Sequence, residues 1–243
     1  MQARSFIIDE AQVKNGQVAL SSEDSHHLLR VLRAEPGDEI ICKIPGKKVY
    51  TCTLDDGGKK QCLLRVVSEK NVPPKKTPRL SLWLSVPRPS VLDSLIPKMA
   101  ELGLDNLRLV ITQRSHLKKK NEIRLERFEK LVLESLKQSG RDELPVLEPV
   151  QTFDELLKNL DQGEAQEAQK ILPWEEETGS LTLRKLPLQA GREKIFFIGP
   201  EGGIANVEAE ALKARGFVSV RLTPNILKVE TAALFTLVHL LPE

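Results

Sequence analysis

The sequence predicts an α/β chain in two parts: a small, mostly β domain over residues 1–71 and a larger domain over 80–243 built on a mostly parallel sheet, with a linker over 72–79 between them. Three observations predict this. Short β-branched runs separated by turn residues fill the first seventy positions, a proline- and lysine-rich stretch follows, and beyond it apolar strand-like runs alternate with segments of helical periodicity.

In the first part, RSFIID, GQVAL, DEIICKIPG, KVYTCTLDDGG and QCLLRVVSE are separated by signals such as Pro36-Gly37, Pro45-Gly46 and Asp56-Gly57, a pattern that predicts a small barrel or sandwich. One helical patch, Asp24 to Arg33, interrupts it, with Ser22 or Asp24 as N-cap. Cys42, Cys52 and Cys62 form neither a CxxC pair nor a cluster with histidine, so they are expected to be buried reduced thiols, and no metal site is expected. KNVPPKKTPR carries almost no apolar content and reads as an extended, solvated connector.

In the second part, LSLWLSV predicts a buried strand, and Leu92, Leu95, Ile96, Met99 and Leu102 fall at helical spacing before a C-capping Gly103. Pro97 lies inside that helix, where it is expected to kink or interrupt the hydrogen-bond ladder. NLRLVIT is strand-like, and Leu125, Phe128, Leu131, Val132 and Leu136 mark one face of a long helix. KILPWE and EKIFFIGPEGG follow, then a helix from about Asn206, its expected cap, to Arg215, stopped by Gly216. VSVRLTP and a last helix over about 229–241 complete the order, which argues for a parallel sheet covered on both faces.

Charge limits the partners. Lys plus Arg (36) and Asp plus Glu (34) nearly cancel to a formal +2, so an anionic partner has to be held by local clusters. The N-terminus has no basic segment followed by an apolar core, and no run approaches the roughly 20 apolar residues of a membrane span. A cytoplasmic location without membrane attachment is expected.

The sharpest local feature is KIFFIGPEGG, where a buried strand ends in a turn whose Gly199, Gly202 and Gly203 let backbone approach a ligand while Pro200 stiffens it. Neither GxGxxG nor GxxxxGK[ST] is present, and Glu201 repels phosphate, so a neutral adenosine moiety with a zwitterionic tail suits this turn better than a dinucleotide. A tight strand–helix turn without a ligand is the alternative. A second turn, Thr223 to Leu227, leads into Lys228-Val229-Glu230-Thr231 and a helix apolar nearly all round, which should be buried in the fold or against a second copy. Glu230 and Thr231 are expected where solvent is scarce; a carboxylate there either caps the helix or acts as a base or ion-pair partner. His239, near the end of that helix, reads as a core or interface histidine.

These residues resemble a known family. GPEGG after a strand, followed by a helix–strand unit and a loop of pattern ILxxET, resembles the RsmE-type 16S ribosomal RNA uridine-N3 methyltransferases of the SPOUT superfamily. The likeness extends over most of the chain: Arg4 with Phe6 resembles the family's opening RxF, His26-His27-Leu28 with Val31-Leu32-Arg33 its HHL-x-x-VLR signature, and Lys98 with Glu101-Leu102-Gly103 its K-x-x-ELG helix end. Gln113-Arg114-Ser115 resembles its S/T/Q-E/Q-R-S type loop and Gln138-Ser139-Gly140-Arg141 its QSGR turn.

The resemblance implies a PUA-like N-terminal β-barrel domain that helps hold RNA and a C-terminal SPOUT domain with a trefoil-knotted parallel sheet, where general rules on chain connection would have drawn an unknotted one. It implies S-adenosylmethionine (SAM) as cofactor, 16S ribosomal RNA or the small ribosomal subunit as partner, and a homodimer formed through the last helix. Mapped onto this chain, the cofactor loops are Leu172, Pro173 and Trp174; Gly199, Pro200, Glu201 and Gly202; and Leu222, Thr223, Pro224, Ile226 and Leu227. Glu230 is the candidate base for uracil N3, with Arg114, Arg141 and Lys228 as electrostatic candidates.

Arg114 together with Lys118, Lys119 and Lys120 forms the densest basic cluster, near Arg124 and Arg127, while Arg4, Arg30, Arg33, Lys47, Lys48 and Lys228 are further candidates for RNA contact. Aromatic residues are only 4% of the chain, so recognition is expected to rest on RNA shape and phosphates more than on extended stacking. Where the family reads LGxRILRxETA this chain has LTPNILKVETA, and Val91 stands where the family often has lysine. Asn225 drops a charge and Lys228 lacks the planar fork of arginine. A non-catalytic RNA-binding or ribosome-assembly relative, or a methyltransferase with another RNA target, is the competing reading.

Overall fold

The computed structural model describes residues 4–56, 61–73, 79–139, 141 and 143–241. It divides into two compact units, the first comprising 1–75 with 136–144 and the second 76–135 with 145–243.

The first unit is a six-stranded sheet in the order β1-β4-β5-β6-β3-β2, formed by β1 (Ser5–Ile7), β2 (Val13–Lys14), β3 (Gln17–Ala19), β4 (Glu39–Ile44), β5 (Lys48–Asp56) and β6 (Leu63–Asn71). All pairings are antiparallel except β1 with β4. Alternation along β4 turns Ile40, Cys42 and Ile44 inward, and with Phe6, Val18, Tyr50, Cys52, Leu54 and Leu64 they form the core around which the sheet curls. The three cysteines are free and buried. Hydrogen bonding to Cys52, followed by burial, pushes the Cys42 thiol well above its ordinary value.

The helical patch begins earlier than expected. α1 (Ser22–His26) is capped by Ser21, whose hydroxyl accepts from Asp24 N at 3.0 Å, not by Ser22 or Asp24. It passes into a π-helical turn over His27–Val31, and Arg33 follows with φ of 49°, a left-handed conformation uncommon for a non-glycine residue.

The second unit is an all-parallel sheet in the order β10-β8-β7-β12-β11-β13, with β9 also on β8. Its strands are β7 (Leu80–Ser85), β8 (Asn106–Ile111), β9 (Val146–Leu147), β10 (Gln151–Thr152), β11 (Gln169–Pro173), β12 (Lys194–Ile198) and β13 (Phe217–Val220). The helices are α2 (Pro89–Leu102), α3 (Leu125–Ser139), α4 (Phe153–Asp161), α5 (Asn206–Lys213) and α6 (Val229–Leu240). Every residue of β7, β8 and β12 is buried, as strands covered on both faces require. This is the α/β parallel-sheet class the sequence predicts.

α2 continues past Pro97, which has no N–H to give the ladder, and the Ser135 hydroxyl donates to the Pro97 carbonyl at 2.8 Å. One local expectation is corrected. α5 is capped at Ala205 instead of Asn206: Glu208 reaches back to accept from Ala205 N at 3.3 Å. α4 and its flanking strand β10 are elements the periodicity did not single out; Thr152 and Glu155 form a capping box there.

A paired charge sits inside this apolar sheet. Arg108 of β8 is 8% exposed, lies 4.8 Å over the Trp83 ring, and pairs with Glu148 and, at 2.6 Å, with Glu164. Removing it strands two carboxylates that retain some solvent contact. Arg108→Met is therefore expected to cost about 3 kcal/mol, the lower end of the range for breaking a buried pair. Urea unfolding measures it, and a loss below about 1 kcal/mol would mean the pair contributes no more than a surface bridge.

Candidate active site

Strand order places the site. β7 and β8 are laid down to one side, whereas β12 enters between β7 and β11, so the loops after β7 and β12 leave neighbouring strands in different directions. Crevices at the carboxyl ends of parallel strands form at such reversals. Here a cavity of about 830 Å³ opens off the ends of β7, β12, β11 and β13.

Three loops build its walls. After β11 come Pro173, Trp174, Glu175 and Glu177; after β12 come Gly199, Pro200, Glu201 and Gly203; after β13 come Arg221 through Leu227, leading to Lys228, Val229 and Glu230 of α6. Arg88, Ser90 and Val91 close the side after β7. A Cβ at Gly199 would meet Ile204 N at 3.0 Å and the Gly203 carbonyl carbon at 3.1 Å, both backbone atoms that cannot swing aside. Gly203 takes φ of 70°, and its N–H donates to the Pro200 carbonyl at 2.8 Å. The Glu201 carboxylate accepts from Arg88 N at 3.0 Å, tying the loops after β7 and β12 together.

Arg114 is held against this turn. The hydroxyls of Ser85, Thr112 and Ser115 form a buried cluster, in which Ser115 Oγ accepts from Thr112 N at 2.8 Å and shapes the 112–115 turn. From that turn Arg114 Nη1 donates to the Gly202 carbonyl at 2.8 Å. Glu208, 6% exposed, accepts from Gln113 N at 2.8 Å as well as from Ala205 N, so one buried carboxylate joins the 112–115 turn to the start of α5.

Several polar groups at the cavity are left open. The Trp174 indole Nε1 is buried with no hydrogen-bond partner, while its ring carries Lys213 Nζ at 5.6 Å. Glu210 accepts from that lysine and holds its pKa above the ordinary value. Among the described residues, the backbone N–H groups of Leu222 and Leu227 have no partner. Glu230 lines the cavity half-buried and has neither a hydrogen bond nor an ion pair among the described residues, so it does not cap α6. Thr231, expected in a solvent-poor place, is exposed because it points off the first turn of α6.

The cavity thus brings together Pro173, Trp174, Gly199, Pro200, Glu201, Leu222, Thr223, Pro224, Ile226, Leu227, Lys228 and Glu230. Leu172 is instead fully buried in the core beneath it, and Gly202 touches Arg114 from behind the wall. Arg141 lies in the first unit, where its carbonyl accepts from Lys43 at 3.4 Å; Gly140 falls outside the described residues. Arg4 is committed to Asp38 and to the Leu32 carbonyl. Arg30 and Arg33 are exposed around an exposed Val31. Lys118 donates to the Gln113 carbonyl, Lys120 pairs with Glu155, and Lys119 is exposed. Arg88, Glu175 and Glu177 were missed; the VPRPS turn after an apolar run was the available signal for Arg88.

A family model described as an RNA methyltransferase domain matches residues 74–241, and one described as an RNA methyltransferase PUA domain matches 20–67. The chain belongs to the RNA methyltransferase family. Among its relatives, the Bacillus subtilis ribosomal RNA small subunit methyltransferase E is 28% identical, the match covering 90% of this chain and 87% of that protein. A Legionella pneumophila structure described as a methyltransferase in complex with the cofactor SAM matches with a TM-score of 0.79 at 26% identity, over 98% of this chain and 96% of that one. The Neisseria gonorrhoeae ribosomal RNA small subunit methyltransferase E, 24% identical with a TM-score of 0.79 over 97% and 95% of the two chains, shares the fold. Among the described residues no helix is long and apolar enough to cross a membrane, and no cluster of His, Cys, Asp or Glu could hold a metal.

At Gly199 the backbone itself leaves no room for a side chain. Gly199→Ala is expected to force the 199–204 backbone apart, destabilising the protein by about 1–3 kcal/mol and weakening any ligand held by the turn. Thermal unfolding and ligand titration of this variant measure both; a wild-type melting temperature would show that the turn has room.

Proposed function

We propose that this chain transfers the methyl group of SAM to N3 of a specific uridine in small-subunit ribosomal RNA. The observation that carries the proposal is the cavity itself, whose open groups suit a neutral purine and a zwitterion and whose walls hold no phosphate-binding motif. The free N–H groups of Leu222 and Leu227 suit purine acceptors. The relatives named for small-subunit ribosomal RNA support the substrate, and the SAM-bound Legionella structure supports the cofactor.

Bound SAM supplies a reactive methyl on a sulfonium. The protein's share is to position the acceptor and remove a proton. Effective molarities of oriented groups make positioning the larger part. Glu230, unpaired at the cavity, takes the N3 proton. Arg114, fixed by Gly202, and Lys228, exposed at the start of α6, favour the uracil anion. Arg141 joins them in this assignment on the resemblance alone.

Residues 1–71 act as a PUA-like RNA-holding domain and 80–243 as the methyltransferase domain, joined by 72–79. Arg30, Arg33, Lys118, Lys119 and Lys120 contact RNA phosphates, and Arg4 supports them by bracing the Leu32 backbone. α6 carries Val238 at 53% exposure on a helix apolar all round, which supports a homodimer through this face. The setting is the cytoplasm, where small subunits are assembled.

Incubation with labelled SAM and small subunits lacking the modification tests the assignment: label should enter the RNA and primer extension should stop at one uridine, because N3 is on the pairing edge. No label, or label without a stop, overturns it. Saturable SAM binding without transfer would instead favour the non-catalytic reading that the changed 223–228 loop raises. Glu230→Gln is expected to lower kcat by about 10²–10⁴-fold while leaving SAM affinity within a few-fold; unchanged turnover would remove Glu230 from the mechanism.

A further inference from the structure

A second hollow, of about 680 Å³, lies off the carboxyl ends of β8 and β10, between the first turns of α4 and α5. Its floor is apolar: Phe153, half-buried and packed on the core, with Leu157 beside it. Gln113 and Asp154 stand at its edge with donors and acceptors, Lys118 at its mouth, and Val207 on its rim at 73% exposure. No part of the chemistry proposed above uses this hollow.

Its occupant is not a phosphate, although two helix N-termini point toward it. Thr152 and Glu155 already cap α4, Glu208 caps α5, and Asp154 adds a further negative charge. An aromatic face, an apolar flank and amide and carboxylate groups at the edge suit a planar heterocycle with hydrogen-bonding edges. Lys118, with exposed Lys119 and Arg124 beyond it, supplies positive charge just outside, where a sugar–phosphate chain would run.

Continuity with the active site identifies the chain to which that heterocycle belongs. Gln113 lines the hollow and its neighbour Arg114 is anchored on Gly202 behind the cofactor-side turn, so one four-residue turn, 112–115, separates the two cavities. Glu208 fixes that turn from the hollow's other wall through Gln113 N. We infer that the hollow is a subsite for the base of an unpaired nucleotide adjacent to the methylated one in the RNA strand, stacked on Phe153 and flanked by Val207. The inference rests on the methyl-transfer reading above and adds a second read-out position to it.

Phe153→Leu keeps an apolar side chain on the core but removes the aromatic face, and Val207→Glu places a carboxylate at an exposed rim position where folding is not at stake. Both are expected to raise KM for the RNA substrate by about 5–100-fold, with SAM affinity by calorimetry and melting temperature near wild type. In parallel, 4-thiouridine placed on either side of the target should photo-crosslink to the peptides containing Phe153 or Val207. Wild-type KM in both variants, or crosslinks only to other peptides, would overturn the subsite while leaving methyl transfer intact; no transfer by the wild-type protein would overturn both readings together.

Discussion

β12 enters the sheet between β7 and β11, and this single placement determines where chemistry can occur. Had the strand been added at an edge, the turn after it would face solvent on one side only. In its observed place, the turn has the end of β7 on one flank and those of β11 and β13 on the other. The requirement then passes to atomic scale at Gly199, where the chain folds back so closely that a Cβ would lie only 3.0 Å from Ile204 N. Any larger side chain would widen the turn and change the shape of the cavity.

Around that turn the polar groups divide into two kinds. Glu201 on Arg88 N, Arg114 on the Gly202 carbonyl, and Glu208 on two backbone N–H groups are satisfied within the protein and fix one loop to the next. Trp174 Nε1, the Leu222 and Leu227 N–H groups and the Glu230 carboxylate are not satisfied. Two backbone donors and a carboxylate without partners, half-buried on the wall of one cavity, leave it with groups that a ligand can engage.

How much of this could be read from residues alone depended on the range of the signal. β7, β8 and β12 were legible because burial on both faces demands continuous apolar runs, and α2 because Leu92, Leu95 and Met99 share a face that Gly103 ends. The GPEGG turn was legible because glycine spacing after a strand is a local signal. The Ala205 cap was not, since its acceptor arrives from Glu208, which also serves a turn far away in the chain. The course of α2 past Pro97 likewise depends on what packs beside it, including Ser135. Trp174 was in view as a loop residue, but an indole N–H without a partner is a property of surroundings. α4 carried a readable Thr152–Glu155 capping box within a short amphipathic stretch, and was passed over between stronger neighbours.

The departures at 223–228 can be weighed in the same physical terms. Thr223, where the family resemblance has glycine, does not adopt a left-handed conformation, so the position makes no demand that only glycine can meet. Its hydroxyl instead closes the turn, donating to the Asn225 carbonyl at 2.7 Å and accepting from Asn225 N at 3.2 Å. The Leu222 and Leu227 N–H groups on either side stay open toward the cavity. What changes is therefore the polar side-chain lining of the loop: Thr223, Asn225 and Lys228 all border the cavity, Asn225 without a charge, while Ile226, which the pattern keeps, is 83% exposed. The backbone donors are retained while the side chains beside them are exchanged, which fits a cradle presented to a differently contacted partner better than a scaffold that has abandoned its ligand.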